Sequence, residues 1–174
     1  MQRLPLTSLV PHMSRAFVKD QDGVDPIEEF PDRPISPNPN YVTAQGLKLM
    51  EAEIAALRHT LAEAQRNEDR STVGRSSRDL RYWIERRTTA HLIEPPVDAK
   101  QVAFATRVTI RRDNGKTAVY AIVGEDEADL AKGLIAYTVP LARALLGAKV
   151  GDVVEIPSGQ VEILAIESIQ GDRA

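Results

Sequence analysis

The chain has no cysteine in 174 residues, which excludes a disulfide framework and any thiolate metal site and fits a reducing compartment. Aromatic residues are scarce, with one Trp, three Phe and four Tyr. Of the three histidines, His12, His59 and His91, none stands at a ligand spacing such as HExxH. A Gly-rich phosphate loop and a G-x-S-x-G elbow are both missing. The chain is therefore expected not to be an enzyme and to hold no metal or cofactor of its own. No apolar run approaches the roughly 18 residues of a membrane span. The LPLTSLV run near the start is too short, and is interrupted by Pro5, to be a signal peptide. A cytoplasmic protein with no membrane partner is expected. Net charge is only −3, so the chain as a whole is no obvious polyanion binder.

What is present is unevenly distributed. The length allows one or two domains, and the 43% hydrophobic content is enough for a modest core. Residues 1–40 hold Pro5, Pro11, Pro26, Pro31, Pro34, Pro37 and Pro39. Such spacing forbids a useful helix and removes ladder donors, which predicts an extended or disordered arm. Met13 has the look of a natural start, which would make residues 1–12 a start-site artefact.

Residues 41–95 predict an antiparallel coiled-coil hairpin. Thr43 is a plausible cap, and Leu47, Met50, Ile54, Leu57, Leu61 and Ala64 follow at alternating steps of three and four, the seam of a coiled-coil helix. A second helical stretch, from about Ser76 to His91, carries Leu80, Trp83 and Ile84 and stops before Pro95 and Pro96. Equal arms put the turn at Asn67-Glu68-Asp69-Arg70. Gly74 and the serines around it are poor helix formers, so a turn spread over residues 67–77 is the alternative. Arg66, Arg70, Arg75, Arg78, Arg81, Arg86 and Arg87 outnumber Glu68, Asp69, Asp79 and Glu85 in this region, a local cationic stripe that is either a phosphate-binding face or a solvated one.

Residues 96–174 predict a small sheet domain. Ala105 to Arg112, Thr117 to Val123, Val153 to Ile156 and Val161 to Ile169 suit strands, with Asp113-Asn114-Gly115-Lys116 a hairpin turn. A further extended run, Leu134 to Tyr137, precedes a short helix capped by Thr138, started by Pro140 and stopped by Gly147. Four to five strands and one helix predict an antiparallel sheet wrapped on a helix, so the whole is α+β. The loop Glu125 to Asp129 is expected to keep the sheet edge soluble.

The order Y-A-I-V-G-E-D-E-A-D from Tyr120, then Leu134-Ile135, then V-P-L-A-R-A-L-L-G from Val139 and V-G-D-V-V from Val150, resembles the C-terminal domain of the GreA/GreB transcription elongation factors over about the last 70 residues. The resemblance implies an FKBP-like domain that docks on RNA polymerase, with Thr138, Val139, Pro140 and Arg143 at the dock. It implies that the hairpin enters the polymerase's secondary channel and that tip carboxylates help hold a Mg²⁺ of the polymerase site. That ion lowers the pKa of a water and clamps the reacting oxygens during cleavage of a backtracked transcript. The family tip reads approximately G-D-[LR]-[SK]-E-N; here Glu68 replaces the Gly, Asp69 is kept and Thr72 stands in place of the Glu. Glu68 and Asp69 are the tip candidates. Arg70, Arg75, Arg78 and Arg81 correspond in kind to residues that hold the RNA 3′ end. A monomer is expected. The alternatives are a non-cleaving channel regulator and a protein similar to the regulator of nucleoside diphosphate kinase, with a degenerate tip. Prolyl isomerase activity is a third reading, disfavoured because the domain offers only Phe104, Tyr120 and Tyr137 as pocket aromatics.

Overall fold

The computed structural model describes residues 30–169. The start-site expectation for residues 1–12 and most of the predicted arm lie outside them. Residues 30–40 run extended and without a ladder, as their prolines dictate.

A short strand, β1 (Tyr41–Val42), leads into α1 (Ala44–Arg66). Thr43 caps α1 by accepting a hydrogen bond from the Gly46 amide at 3.0 Å. The seam faces inward along most of its length, with Met50, Ile54 and Ala64 buried. Helix α2 spans Arg70–Thr88, so the turn is the tight one at residues 67–69. The spread turn over 67–77 and the start near Ser76 are both corrected. Gly74, Ser76 and Ser77 are helical, and Ser76 is buried. A small side chain there lets the two helices approach, an advantage that intrinsic propensity does not register. Ile84, expected on the apolar patch, is 42% exposed, whereas Arg86 is buried.

The second helix also ends before the predicted His91. His91 and Leu92 form β2 (His91–Leu92), paired in parallel with β1. The two chain crossings at the base of the hairpin are thereby tied together.

The remaining strands, β3 (Thr106–Arg112), β4 (Thr117–Val123), β5 (Leu134–Ala136), β6 (Val153–Ile156) and β7 (Gly159–Ser168), form one sheet in the order β5-β4-β3-β7-β6. The expected all-antiparallel sheet is corrected: β4 and β5 run parallel. The ten residues between them, including the acidic loop, carry the chain back so that β5 lies beside Ala121, Ile122 and Val123, the last three residues of β4. Helix α3 (Pro140–Leu145) packs Ala142 and Leu145 on a core of Val108, Ile110, Ile122 and Ile163. Thr138 does not cap it. Val139 occupies that position without a side-chain bond, and the Thr138 hydroxyl donates instead to Glu125 at 3.1 Å. The fold is α+β, two long helices followed by a curled sheet with one short helix.

Candidate functional site

The hairpin tip is three residues long. The Asn67 amide bonds to Glu63 O at 3.0 Å and the Asp69 amide to Ala64 O at 2.9 Å, which closes α1. Between them Glu68 adopts φ 54°, a left-handed conformation that favours glycine. Asp69 then caps α2. Its Oδ1 accepts from the Thr72 amide at 3.0 Å and its Oδ2 from the Thr72 hydroxyl at 2.6 Å. The Thr72 hydroxyl bond, followed by the Thr72 amide, holds the Asp69 carboxyl below its ordinary pKa. Glu68 and Asp69 are both exposed, so two adjacent carboxylates project from the end of the hairpin. Among the described residues, no group of three or more His, Cys, Asp or Glu side chains is arranged to hold a metal.

The four arginines follow one another along α2. Arg70 is the first residue of α2. Arg75, Arg78 and Arg81 follow at intervals of three, which places them along one face. Arg78 pairs with Asp79 at 2.8 Å and Arg81 with Asp32 at 2.7 Å, and the guanidinium carbons of Arg75 and Arg78 lie 6.0 and 5.6 Å from the centroid of the Phe30 ring. At the other end of the molecule, Val139, Pro140 and Arg143 are exposed around the start of α3. Thr138 turns its hydroxyl away from that surface, toward Glu125.

What joins these two places was not visible as a site in the sequence. Arg86 is 2% exposed, with its Nε 2.5 Å from Asp126 and its Nη2 3.6 Å from Glu125. The Tyr82 hydroxyl donates to Asp126 at 2.5 Å. Burial, and then that bond to a carboxylate, push the Tyr82 phenol up to about 12. Glu125 Oε1 accepts from Ser36 at 3.1 Å and Asn38 at 3.0 Å. Glu127 accepts from the Thr43 hydroxyl at 2.7 Å, and burial raises its pKa in spite of that bond. The acidic loop thus fastens the sheet to the base of the hairpin, which corrects its reading as a solubilising edge. The available signal was a lone arginine on the inward side of α2, forty residues before three consecutive carboxylates.

Aromatics reinforce the joint. Tyr41 packs against Tyr137 and Phe104, with ring centroids 5.3 and 6.0 Å apart. Tyr120 is engaged elsewhere, accepting from Arg112 at 3.0 Å.

Comparison with known proteins agrees on one family. The family model described as "Transcription elongation factor, GreA/GreB, C-term" matches residues 97–168. Transcription elongation factor GreA of Ruegeria pomeroyi is 34% identical over 149 residues, 72% of this chain and 96% of that protein. Transcription elongation factor GreB of Neisseria meningitidis serogroup B is 32% identical over 157 residues, 76% of this chain and 96% of its own. Among solved structures, prokaryotic transcription elongation factor GreA/GreB from Nitrosomonas europaea is 17% identical with a TM-score of 0.37, covering 75% of this chain and 98% of that one.

Proposed function

The chain belongs to the GreA/GreB family of transcription elongation factors, and from that premise we propose that it binds RNA polymerase at the secondary channel and rescues backtracked complexes by promoting the polymerase's own transcript cleavage. Val139, Pro140 and Arg143 make the dock, with Thr138 bracing the loop from behind. The hairpin passes into the channel, and Glu68 and Asp69 reach the polymerase Mg²⁺. When bound, that ion supplies a water of lowered pKa and a clamp on the reacting oxygens. Asp69, ionised at neutral pH, contributes an oxygen ligand. Arg70, Arg75, Arg78 and Arg81 hold the RNA 3′ end by phosphate contacts. The site of action in this reading is the cytoplasm, and the factor works as a monomer.

The observation that carries the reading is the position of the exposed Glu68–Asp69 pair at the end of a two-helix rod. A 23-residue helix at a rise of about 1.5 Å per residue is about 35 Å long. A second reading, channel occupancy without cleavage, is favoured by one detail. Both Asp69 oxygens are already engaged by Thr72, the residue that stands in place of the family Glu.

Arrested elongation complexes distinguish the two. Shortened transcripts above the intrinsic level, abolished by Asp69→Ser, support cleavage, because serine keeps the cap and removes the carboxylate. No shortening by the natural protein, with gain of cleavage by Thr72→Glu, establishes occlusion. Failure of the full chain to bind core polymerase removes both readings.

A further inference from the structure

Residues 30–40 lie along the hairpin, and their two halves are held differently. The half nearer the joint is anchored among buried groups. Asn40, 5% exposed, donates to Arg86 O at 2.6 Å and to the Thr89 hydroxyl at 3.1 Å. Pro39 O accepts from Tyr137 at 2.5 Å, and Ser36 and Asn38 bond to Glu125. The outer half rests on α2 in solvent. The Phe30 ring lies 5.6 Å from the Arg78 guanidinium carbon and 6.0 Å from that of Arg75. Asp32 accepts from Nε and Nη2 of Arg81 at 3.0 and 2.7 Å, in a pair whose side chains are 74% and 59% exposed.

A flat ring over guanidinium groups and an anionic oxygen on the next guanidinium are the contacts that a base and a phosphate of single-stranded RNA make with a row of arginines. The sequence leading into this segment, from Asp20 to Asp32, carries Asp20, Asp22, Asp25, Glu28, Glu29 and Asp32 and no Lys or Arg. Its charge has the sign of a nucleic acid backbone.

We propose that Phe30 and Asp32 form a strap that mimics single-stranded RNA on Arg75, Arg78 and Arg81, and that RNA binding to this face requires these residues to peel away while the chain stays anchored from Arg33 onward, whose guanidinium stacks on Tyr82 at 3.7 Å and lies 3.9 Å from Asp79. The proposal rests on the reading of these arginines as phosphate contacts, not on docking to polymerase. Individually the strap contacts are weak, since an exposed ion pair is screened by solvent. Their strength comes from tethering: a short linker holds Phe30 and Asp32 at an effective concentration of about millimolar, which competes with weak, sequence-independent RNA binding.

The test measures binding of a fluorescent oligouridylate to the full chain at low salt, by anisotropy. Phe30→Ala removes the ring without altering charge and is expected to tighten binding by about 2- to 5-fold, the scale of one exposed cation–π contact. Asp32→Asn, a second variant of nearly unchanged shape, is expected to tighten it as well. Both gains should shrink as salt rises and vanish when Arg78 and Arg81 are replaced by Ala. Unaltered or weaker binding by both strap variants overturns the proposal. So does a gain that persists without Arg78 and Arg81, or no RNA binding by any of the proteins. None of these outcomes depends on polymerase, so a failed strap and a failed dock are told apart.

Discussion

The two ends of the hairpin are built on opposite principles. At its base, Arg86, Asp126, Glu125 and Tyr82 are packed into one network, the chain crossings pair in a ladder and aromatic rings close over the side. At its tip, three exposed residues make the whole turn. Charge at the base is structural because it is withdrawn from water, where an unpaired partner is costly. Charge at the tip stands in solvent, although both Asp69 oxygens are held by Thr72. A carboxylate can hold a fold together or wait for a ligand, and burial decides which.

The comparison is sharpest between neighbours in sequence. Arg86→Ala leaves Asp126 and Glu125 buried without their cation and is expected to destabilise the protein by about 3–5 kcal/mol in urea unfolding. A change under about 1 kcal/mol would break the contrast. Gly124→Ala comes next. An added Cβ would sit 2.6 Å from Tyr41 O, forcing backbone apart at the joint, with an expected loss of about 1–3 kcal/mol. Arg87→Ala, one residue beyond Arg86, removes an exposed 2.9 Å pair with Glu51 across the helices and should cost about 0.5 kcal/mol.

At the tip, Asp69→Ala removes the exposed cap of α2 and should quicken amide exchange in its first turn at a cost of about 0.5–1 kcal/mol, most of it restored by Asp69→Ser. A loss as large as that of Arg86→Ala would mean that the tip is part of the core network. Glu127 and Asp69 also titrate in opposite senses. Glu127 is harder to ionise folded than unfolded, so its contribution to stability declines as pH rises from the unfolded carboxylate value through the folded one. Glu127→Gln should remove that decline. Asp69 is easier to ionise folded; its contribution is present above the unfolded value and fades as pH falls through the folded one. The smallest of these effects are read as slopes of unfolding free energy against pH, and slopes of the same sign would refute the opposition.

Local rules made much of this legible. The three-four spacing of the Met50–Ile54–Ala64 seam, the Thr43 cap and the Asn114-Gly115 turn depend on near neighbours in sequence, and each appears in the structure. The symmetric turn at residues 67–69 followed from arm length alone. What escaped depends on distant partners. Gly74 and the serines looked like breakers because their propensities are poor, yet small size was what the helix pairing required at Ser76. The loop Glu125 to Glu127 looked like surface charge because its cation lies forty residues away on another element. Thr138 had the residue type and position of a cap, but the neighbouring Glu125 took its hydroxyl. Parallel pairing of β4 with β5 was hidden for the same reason, since strand direction within a sheet is set by the path of the connection between them.

The parallel ladder of Tyr41–Val42 with His91–Leu92 has a mechanical consequence. With both crossings stitched side by side, the helices cannot splay at their origin, so any motion there is a swing of the whole rod. Over a length of about 35 Å, a swing of about 10° displaces the far end by about 6 Å. Angular stiffness in the ring of side chains around Arg86 thus sets how accurately the far end of the hairpin is placed.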